Sequence, residues 1–275
     1  MRRPKDPGEV WVAVRKKRPL VYQLTSAVAA AFQAEVTAAV GASTIMSAHP
    51  KEARVIASAA DSLLLNTGMP TDATKEAFNE ALAGLELERP CLLDPVGYRV
   101  SPWRTAWIDS ILSSGKITAL KGNGAEMALL GGEEGRLRGV ESSKARNLEE
   151  ALMGIVKTKD GPSVAVATGT TDLLAEGGKL WKVRGGSHLL PLLPASGCAL
   201  GSVAAACLSV ADPLSACLAA LLAFRMAAER AKGSPWPASW KNAFLDALAA
   251  LKPEELSEGM KDRIEGPFEL RKEAE

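Results

Sequence analysis

The sequence belongs to the α/β class, read as a three-layer αβα domain with a mainly parallel central sheet. Three observations predict this. Short runs such as Leu63-Leu64-Leu65, Cys91-Leu92-Leu93 and Val164-Ala165-Val166-Ala167 are apolar throughout, as strands buried on both faces are. Stretches with helical spacing alternate with them, the pattern that builds parallel sheets. The runs also end repeatedly in Gly, Asn, Asp or Thr, and in open α/β sheets ligands collect at the carboxyl ends of the strands.

In chain order, residues 1–18 read as an arm or an exposed first helix, and Arg15-Lys16-Lys17-Arg18 as a solvated charge run. Leu20 to Leu24 is a strand, Val28 to Val40 an Ala-rich buried helix, and Ala42 to Met46 a second strand. Pro50 to Ala60 has helical spacing, with Val55, Ile56 and Ala59 on one face. Asp61 to Asn66 is a strand ending in Thr67-Gly68. Thr71 to Leu85 is a helix with a Thr-Asp start signal. Cys91 to Asp94 is a strand, Trp103 to Leu112 a helix, and Ile117 to Leu120 a strand ending in Lys121-Gly122-Asn123. A helix starts at Glu126, and Ser163 to Ala167 is a strand ending in Thr168-Gly169. Leu173 to Val183 is a hairpin turning through Gly177-Gly178. Ala-rich helices follow at about Cys198–Val210, Leu214–Lys232 and Ser239–Leu251, and the tail from 252 to 275 is charged, helical or frayed. No linker divides the chain, so residues 1–275 read as a single domain.

Composition excludes several classes. Hydrophobic residues make up 47% and charged residues 24%, which argues against disorder. Lys and Arg total 33 against 32 Asp and Glu, so a net charge of +1 offers no general attraction for nucleic acid or acidic membranes. Four cysteines without a CxxC pair, and only two histidines, His49 and His188, argue against a Cys/His zinc site. The N-terminus lacks the apolar run of a signal peptide, and free thiols in a reduced cytoplasm are the expectation. Gly185 to Ala211 carries no formal charge, yet glycines and prolines interrupt it. It reads as a buried loop and a buried helix, not a membrane span.

The residues that could carry chemistry sit at the strand ends. In Pro194-Ala195-Ser196-Gly197-Cys198, small residues lead into an Ala-rich helix, which brings unpaired N–H groups and the positive helix end together. That is an anion site, in whose first turn the field lowers the pKa of Cys198, or else a glycine turn with an inert cysteine. Asp94 can hold Mg²⁺ or cap a turn. Glu126 is a metal-associated carboxylate or a partner of the helix dipole. Lys121 contacts a phosphate or ends a strand in solvent, and Thr168-Gly169 with Asp172 suits phosphate contacts or a turn. No P-loop, GxGxxG or HExxH pattern is present.

Taken in order, Gly41-Ala42-Ser43 with Met46, Asn66-Thr67-Gly68, Asp94-Pro95-Val96-Gly97, Lys121-Gly122-Asn123 with Glu126, Thr168-Gly169 with Asp172, and Ser196-Gly197-Cys198 resemble the hydroxyethylthiazole kinase family of the ribokinase-like superfamily. The resemblance spans roughly Pro19 to Ala228. It implies a ribokinase-like fold, transfer of the ATP γ-phosphate to the primary alcohol of 4-methyl-5-(2-hydroxyethyl)thiazole with Mg²⁺ in thiamine salvage, and a homotrimer with active sites at subunit interfaces. It implies that Lys121, Asn123, Thr168, Gly169, Ser196 and Gly197 bind the nucleotide and that Asp94 and Glu126 lie on the metal side. Met46, Ala195, Gly68 and Gln23 fall at acceptor positions, and Cys198 at that of the base for the hydroxyl.

The departures from the family pattern gather on the acceptor side. The family's N-I-T-N and N-F-x-x-N become Gln23-Leu24-Thr25-Ser26 and Ala31-Phe32-Gln33-Ala34-Glu35, so all four asparagines are replaced. G-T-G-C becomes Ala195-Ser196-Gly197-Cys198, and a Cβ at Ala195 costs roughly 1 kcal/mol or more if φ there is positive. The nucleotide half thus keeps the pattern better than the acceptor half. Two other readings stand beside the first: the same reaction on another small heterocyclic alcohol, or a non-catalytic ligand-binding relative with a decayed acceptor site.

Overall fold

The computed structural model describes residues 3–132, 145–232 and 235–269. Nine strands form one sheet in the order β2-β1-β3-β4-β5-β6-β7-β8-β9. They are β1 (Leu20–Leu24), β2 (Ser43–Ile45), β3 (Ser62–Asn66), β4 (Cys91–Asp94), β5 (Ala119–Asn123), β6 (Val164–Thr168), β7 (Asp172–Glu176), β8 (Lys179–Val183) and β9 (Ile264–Glu269). The pairs from β2 through β6 are parallel, and β7, β8 and β9 continue antiparallel. Two helical layers cover the sheet. One holds α1 (Pro7–Lys17), α2 (Ala27–Ala39), α8 (Ser196–Leu208), α9 (Pro213–Arg230), α10 (Pro237–Ala250) and α11 (Pro253–Arg263). The other holds α3 (Pro50–Ala59), α4 (Asp72–Gly84), α5 (Pro102–Leu112), α6 (Gly124–Leu130) and α7 (Ala145–Lys157).

The strand alternation divides the core. Leu64 and Leu92 point into the first layer, while Leu63, Leu65 and Leu93 point into the second, and all are fully buried. This is why the central runs are apolar throughout. Most helices start on the signals their sequences carry. Ser26, Thr71, Ser101 and Asp212 accept first-turn N–H groups of α2, α4, α5 and α9. Among the described residues no helix is long and apolar enough to cross a membrane.

Several expectations need correction or completion. The N-terminal segment is a helix, one of its two readings, but it is neither an arm nor wholly exposed. Val10, Trp11 and Val14 of α1 are buried in the core. Its basic run is put to structural use: Arg15 donates to the carbonyl of Ala249 at 2.6 Å and Lys17 to that of Ser209 at 3.0 Å, at the C-terminal ends of α10 and α8. On α3 the buried face is Ala53 and Ala57, and Val55 is 68% exposed, because the close partner α4 leaves room only for small side chains. There, a Cβ on Gly84 would stand 2.2 Å from the carbonyl of Arg54. Lys121 and Asn123 lie within β5, not beyond it. Helix α7 was not foreseen, and the charged tail is helical as expected through α11 but then adds the edge strand β9.

Candidate functional site

Parallel strands bring their polar ends to one edge. Asn66 and Asp94 are in register across β3 and β4, as are Asn123 and Thr168 across β5 and β6. Helix α8 points its N-terminus at this edge. Ala195, the residue before it, has φ 64° and ψ 14°, and a methyl side chain cannot cap the helix. The first intrahelical bond, 2.8 Å, runs from the N–H of Ala199 to the carbonyl of Ala195. The N–H groups of Gly197 and Cys198 have no hydrogen-bond partner among the described residues. The positive end of a long buried helix is thus open to an anion.

Beneath that turn lies a buried polar cluster. Lys121 Nζ donates to Asp94 Oδ2 at 3.0 Å and to the carbonyl of Gly197 at 2.8 Å. Asn66 Nδ2 donates to Asp94 Oδ2 and to Cys198 Sγ, each at 3.1 Å, while Asn66 Oδ1 accepts the N–H of Gly68 at 2.9 Å. The Gly68 amide thereby fixes which end of the Asn66 side chain faces the sulfur. Burial works against the charge on Lys121, but the carboxylate of Asp94, with Cys198 and Glu126 adding, outweighs it and raises the lysine above its ordinary pKa. The Cys198 thiol moves opposite to the expectation from its helix position. Burial first and Asp94 second push it up to about 11, against the opposing pull of Lys121 and Asn66.

Glu126 and Asn123 close a capping box at the start of α6. Asn123 Oδ1 accepts the N–H of Glu126 at 2.9 Å, and Glu126 Oε2 accepts that of Asn123 at 3.0 Å. Glu126 Oε1 takes the N–H of Gly97 at 3.0 Å, binding the loop after β4 to the site. Gly97 has φ 76°, and a Cβ there would stand 2.3 Å from the guanidinium of Arg104. Burial and the neighbouring charge of Asp94 raise the Glu126 carboxyl. Among the described residues no cluster of three or more His, Cys, Asp or Glu side chains could hold a metal ion. Two neighbouring buried carboxylates, Asp94 and Glu126, suit Mg²⁺, which takes one or two carboxylates and leaves its remaining positions to phosphate and water.

A cleft of about 680 Å³ opens in front of α8. Asn123, Thr168, Gly169, Ser196 and Gly197, five of the six residues expected on the nucleotide side, line it, and Lys121 lies behind Gly197. Leu190, Pro191, Leu200 and Phe224 give it an apolar wall. Asp172 also lines the cleft, but its oxygens are engaged within the protein. It accepts the N–H of Gly169 at 3.0 Å and pairs with Arg225, which is the turn reading of that motif.

The acceptor-side residues divide. Ala195 and Gly68 adjoin the cluster, and Met46 is half-buried just past β2. Gln23 is fully buried, with its amide donating to Thr37 and Thr44, both at 2.9 Å, and its oxygen accepting from Ser202 at 2.6 Å. Nothing of it remains for a ligand. Asn66 was legible as part of the Asn66-Thr67-Gly68 motif, though without a role of its own. Two contributors were not foreseen. Gln33, whose amide holds the carbonyl of Cys198 at 3.0 Å, falls at an unconstrained position of the family pattern. Arg225 had one signal, a lone charge within the apolar run of α9.

Residues 12–254 match the model of the hydroxyethylthiazole kinase family. A hydroxyethylthiazole kinase of Thermoanaerobacter pseudethanolicus is 35% identical, covering 94% of this chain and 99% of that protein. One of Syntrophomonas wolfei subsp. wolfei is 38% identical, over 90% and 95%. Among solved structures, a hydroxyethylthiazole kinase protein of Pyrococcus horikoshii superposes with a TM-score of 0.84 at 27% identity, covering 94% of this chain and 98% of its own. A pyridoxal kinase of Staphylococcus aureus, solved with AMP-PCP and pyridoxal, shares the fold with a TM-score of 0.60 at 14% identity, covering 78% and 89%.

Proposed function

This chain belongs to the hydroxyethylthiazole kinase family, and from that premise we propose that it transfers the γ-phosphate of ATP to the primary alcohol of 4-methyl-5-(2-hydroxyethyl)thiazole, a step of thiamine salvage, in the cytoplasm. The observation that carries the reading is the open N-terminus of α8, where the N–H groups of Gly197 and Cys198 are unpartnered among the described residues and where Ser196 and Gly197 line a cleft with Thr168 and Gly169.

Phosphoryl transfer asks a protein chiefly for positioning and charge stabilisation. The first-turn N–H groups and the helix field serve the transferred phosphoryl, and Lys121 adds a fixed positive charge from beneath Gly197. Asp94 and Glu126 would hold Mg²⁺, and the ion would supply charge neutralisation when bound. Cys198 takes the proton of the hydroxyl. Because its thiol is pushed up to about 11, only a small thiolate fraction is present near neutral pH. Positioning therefore carries most of the rate, and Cys198→Ala slows transfer by about 10²-fold, the low end of general-base effects, without abolishing it.

The acceptor side favours a second reading. Gln23, which replaces a family asparagine, is consumed internally by Thr37, Thr44 and Ser202, and the nearby Gln33 by Thr25 and Cys198. Another small heterocyclic alcohol is the alternative substrate. Val28 (64% exposed), Ile45 (38%) and Met69 (58%) stand at the carboxyl ends of the neighbouring strands β1, β2 and β3, and we assign this apolar edge to a homotrimer contact. The deciding experiment incubates the protein with ATP, Mg²⁺ and a panel of hydroxyalkyl heterocycles, with product read by mass spectrometry. Preferred phosphorylation of hydroxyethylthiazole supports the first reading and that of another alcohol the second. Absence of both product and ATP-dependent thermal stabilisation removes the kinase reading. Light scattering at three times 28.9 kDa supports the trimer, and a monomer overturns it.

A further inference from the structure

We propose that Arg225 is a positioning residue for the nucleotide cleft, holding its two glycine-containing loops at a fixed separation and so setting the affinity for the nucleoside triphosphate. The inference rests on the kinase reading of this site.

Arg225 comes from the middle of α9 and is 6% exposed at the back of the cleft. A guanidinium has five N–H donors, and here all five are used, at 2.5 to 2.9 Å. Nε and one Nη2 hydrogen grip the Asp172 carboxylate side-on. The other Nη2 hydrogen goes to the carbonyl of Gly169 and the two Nη1 hydrogens to those of Thr170 and Gly185. No donor is left for a phosphate, so the residue acts on the ligand through the loops and not by touching it.

The two loops are the walls of the cleft. One follows β6 and carries Thr168-Gly169, the other follows β8 and carries Gly185-Gly186. A second side chain of α9 completes the hold on the latter. The N–H of Gly186 donates to Glu229 Oε1 at 3.0 Å, and Glu229 lies four residues beyond Arg225 on the same helix. Carbonyl and N–H of a single peptide unit, Gly185–Gly186, are thus held by neighbouring side chains on one helix face. The glycines are required. Their φ values are 101° and 97°, a Cβ on Gly185 would lie 2.1 Å from Glu229 Oε1, and one on Gly186 would lie 3.0 Å from Arg225 Cδ. A backbone built to admit two specific side chains, one of them a cleft residue with every N–H donor already used, belongs to a wall whose position matters.

The test compares wild type with Arg225→Met, Arg225→Lys and Asp172→Asn, all checked for folding by circular dichroism. Calorimetry reads nucleotide binding, and kinetics separate KM for ATP, KM for the acceptor and kcat. The expected result is a rise in KM and Kd for ATP of about 10- to 100-fold in Arg225→Met, as for other outer supports of a site, with a smaller rise in the other two. KM for the acceptor stays near the wild-type value and kcat moves far less than KM for ATP. If Arg225→Met fails to fold, the same split in Arg225→Lys and Asp172→Asn decides. Folded variants with unchanged nucleotide affinity, or a loss confined to kcat, overturn the positioning role while the wild type still phosphorylates. A wild type that binds no nucleoside triphosphate overturns the kinase reading, and the positioning role with it.

Discussion

Ala195 places a Cβ in the left-handed region at the point where the chain turns into α8. Glycine there removes the steric cost but adds chain entropy to the unfolded state, and the two nearly cancel. Ala195→Gly is therefore expected to be about 0.5 kcal/mol more stable than wild type, read from denaturant midpoints, and a loss of stability would contradict the strain. Cys198 shows what local sequence hides. Its place in the first turn of a helix was legible, and that place alone lowers a thiol. Its burial, and the carboxylate of Asp94 more than a hundred residues earlier, push it up to about 11. Alkylation of Cys198, which follows the thiolate, is expected to quicken about tenfold per pH unit from 7 to 10. Asn66→Ala removes an N–H donor from the sulfur and is expected to slow alkylation at any fixed pH in that range. A plateau near pH 7 would sink the raised thiol.

At the level of elements, the central strands and their flanking helices were legible because burial on both faces and helix caps are written locally. The elements that were misread are those whose meaning depends on a distant partner. Helix α1 was offered as an exposed helix, and its buried face was hidden by its basic run, since only the fold shows carbonyl ends of α8 and α10 within reach of Lys17 and Arg15. Strand β9 reads Ile264-Glu265-Gly266-Pro267-Phe268-Glu269, and a proline argues against a strand anywhere except at a sheet edge, which is where β9 lies. Ending the chain before Ile264 uncovers the β8 edge, and a lower melting temperature with increased self-association is expected. Helix α11 is tied back by Glu255, whose carboxyl the Arg230 guanidinium and the N–H of Lys252 hold at about 2. The folded carboxyl lies below the ordinary value of about 4.3, so this tie is complete above that pH and is lost as pH falls toward 2. Hydrogen exchange in α11 should speed up over that window in wild type, and Glu255→Gln should lack this acid-dependent step.

The whole molecule is held by contacts that join many elements at once. Phe244 of α10 is fully buried, with ring centroids 5.7 Å from Trp240, 4.8 Å from Phe224 of α9 and 6.2 Å from Phe32 of α2. Phe244→Ala is expected to cost about 3–5 kcal/mol, measured by chemical denaturation, and a loss under 1 kcal/mol would mean that the three helices pack independently. The same interdependence governs the order of assembly. The N–H of Lys5 reaches Ser215, and the Asp6 carboxylate that caps α1 also accepts from Ser257, 251 residues away. A ribosome adding about 5–20 residues per second thus emits Val10, Trp11 and Val14 roughly 10–50 s before α9 and α11 exist to cover them. From the emergence of α1 until α9 and α11 follow, the nascent chain carries an apolar stripe with nothing to pack on, and a segment made early is housed late.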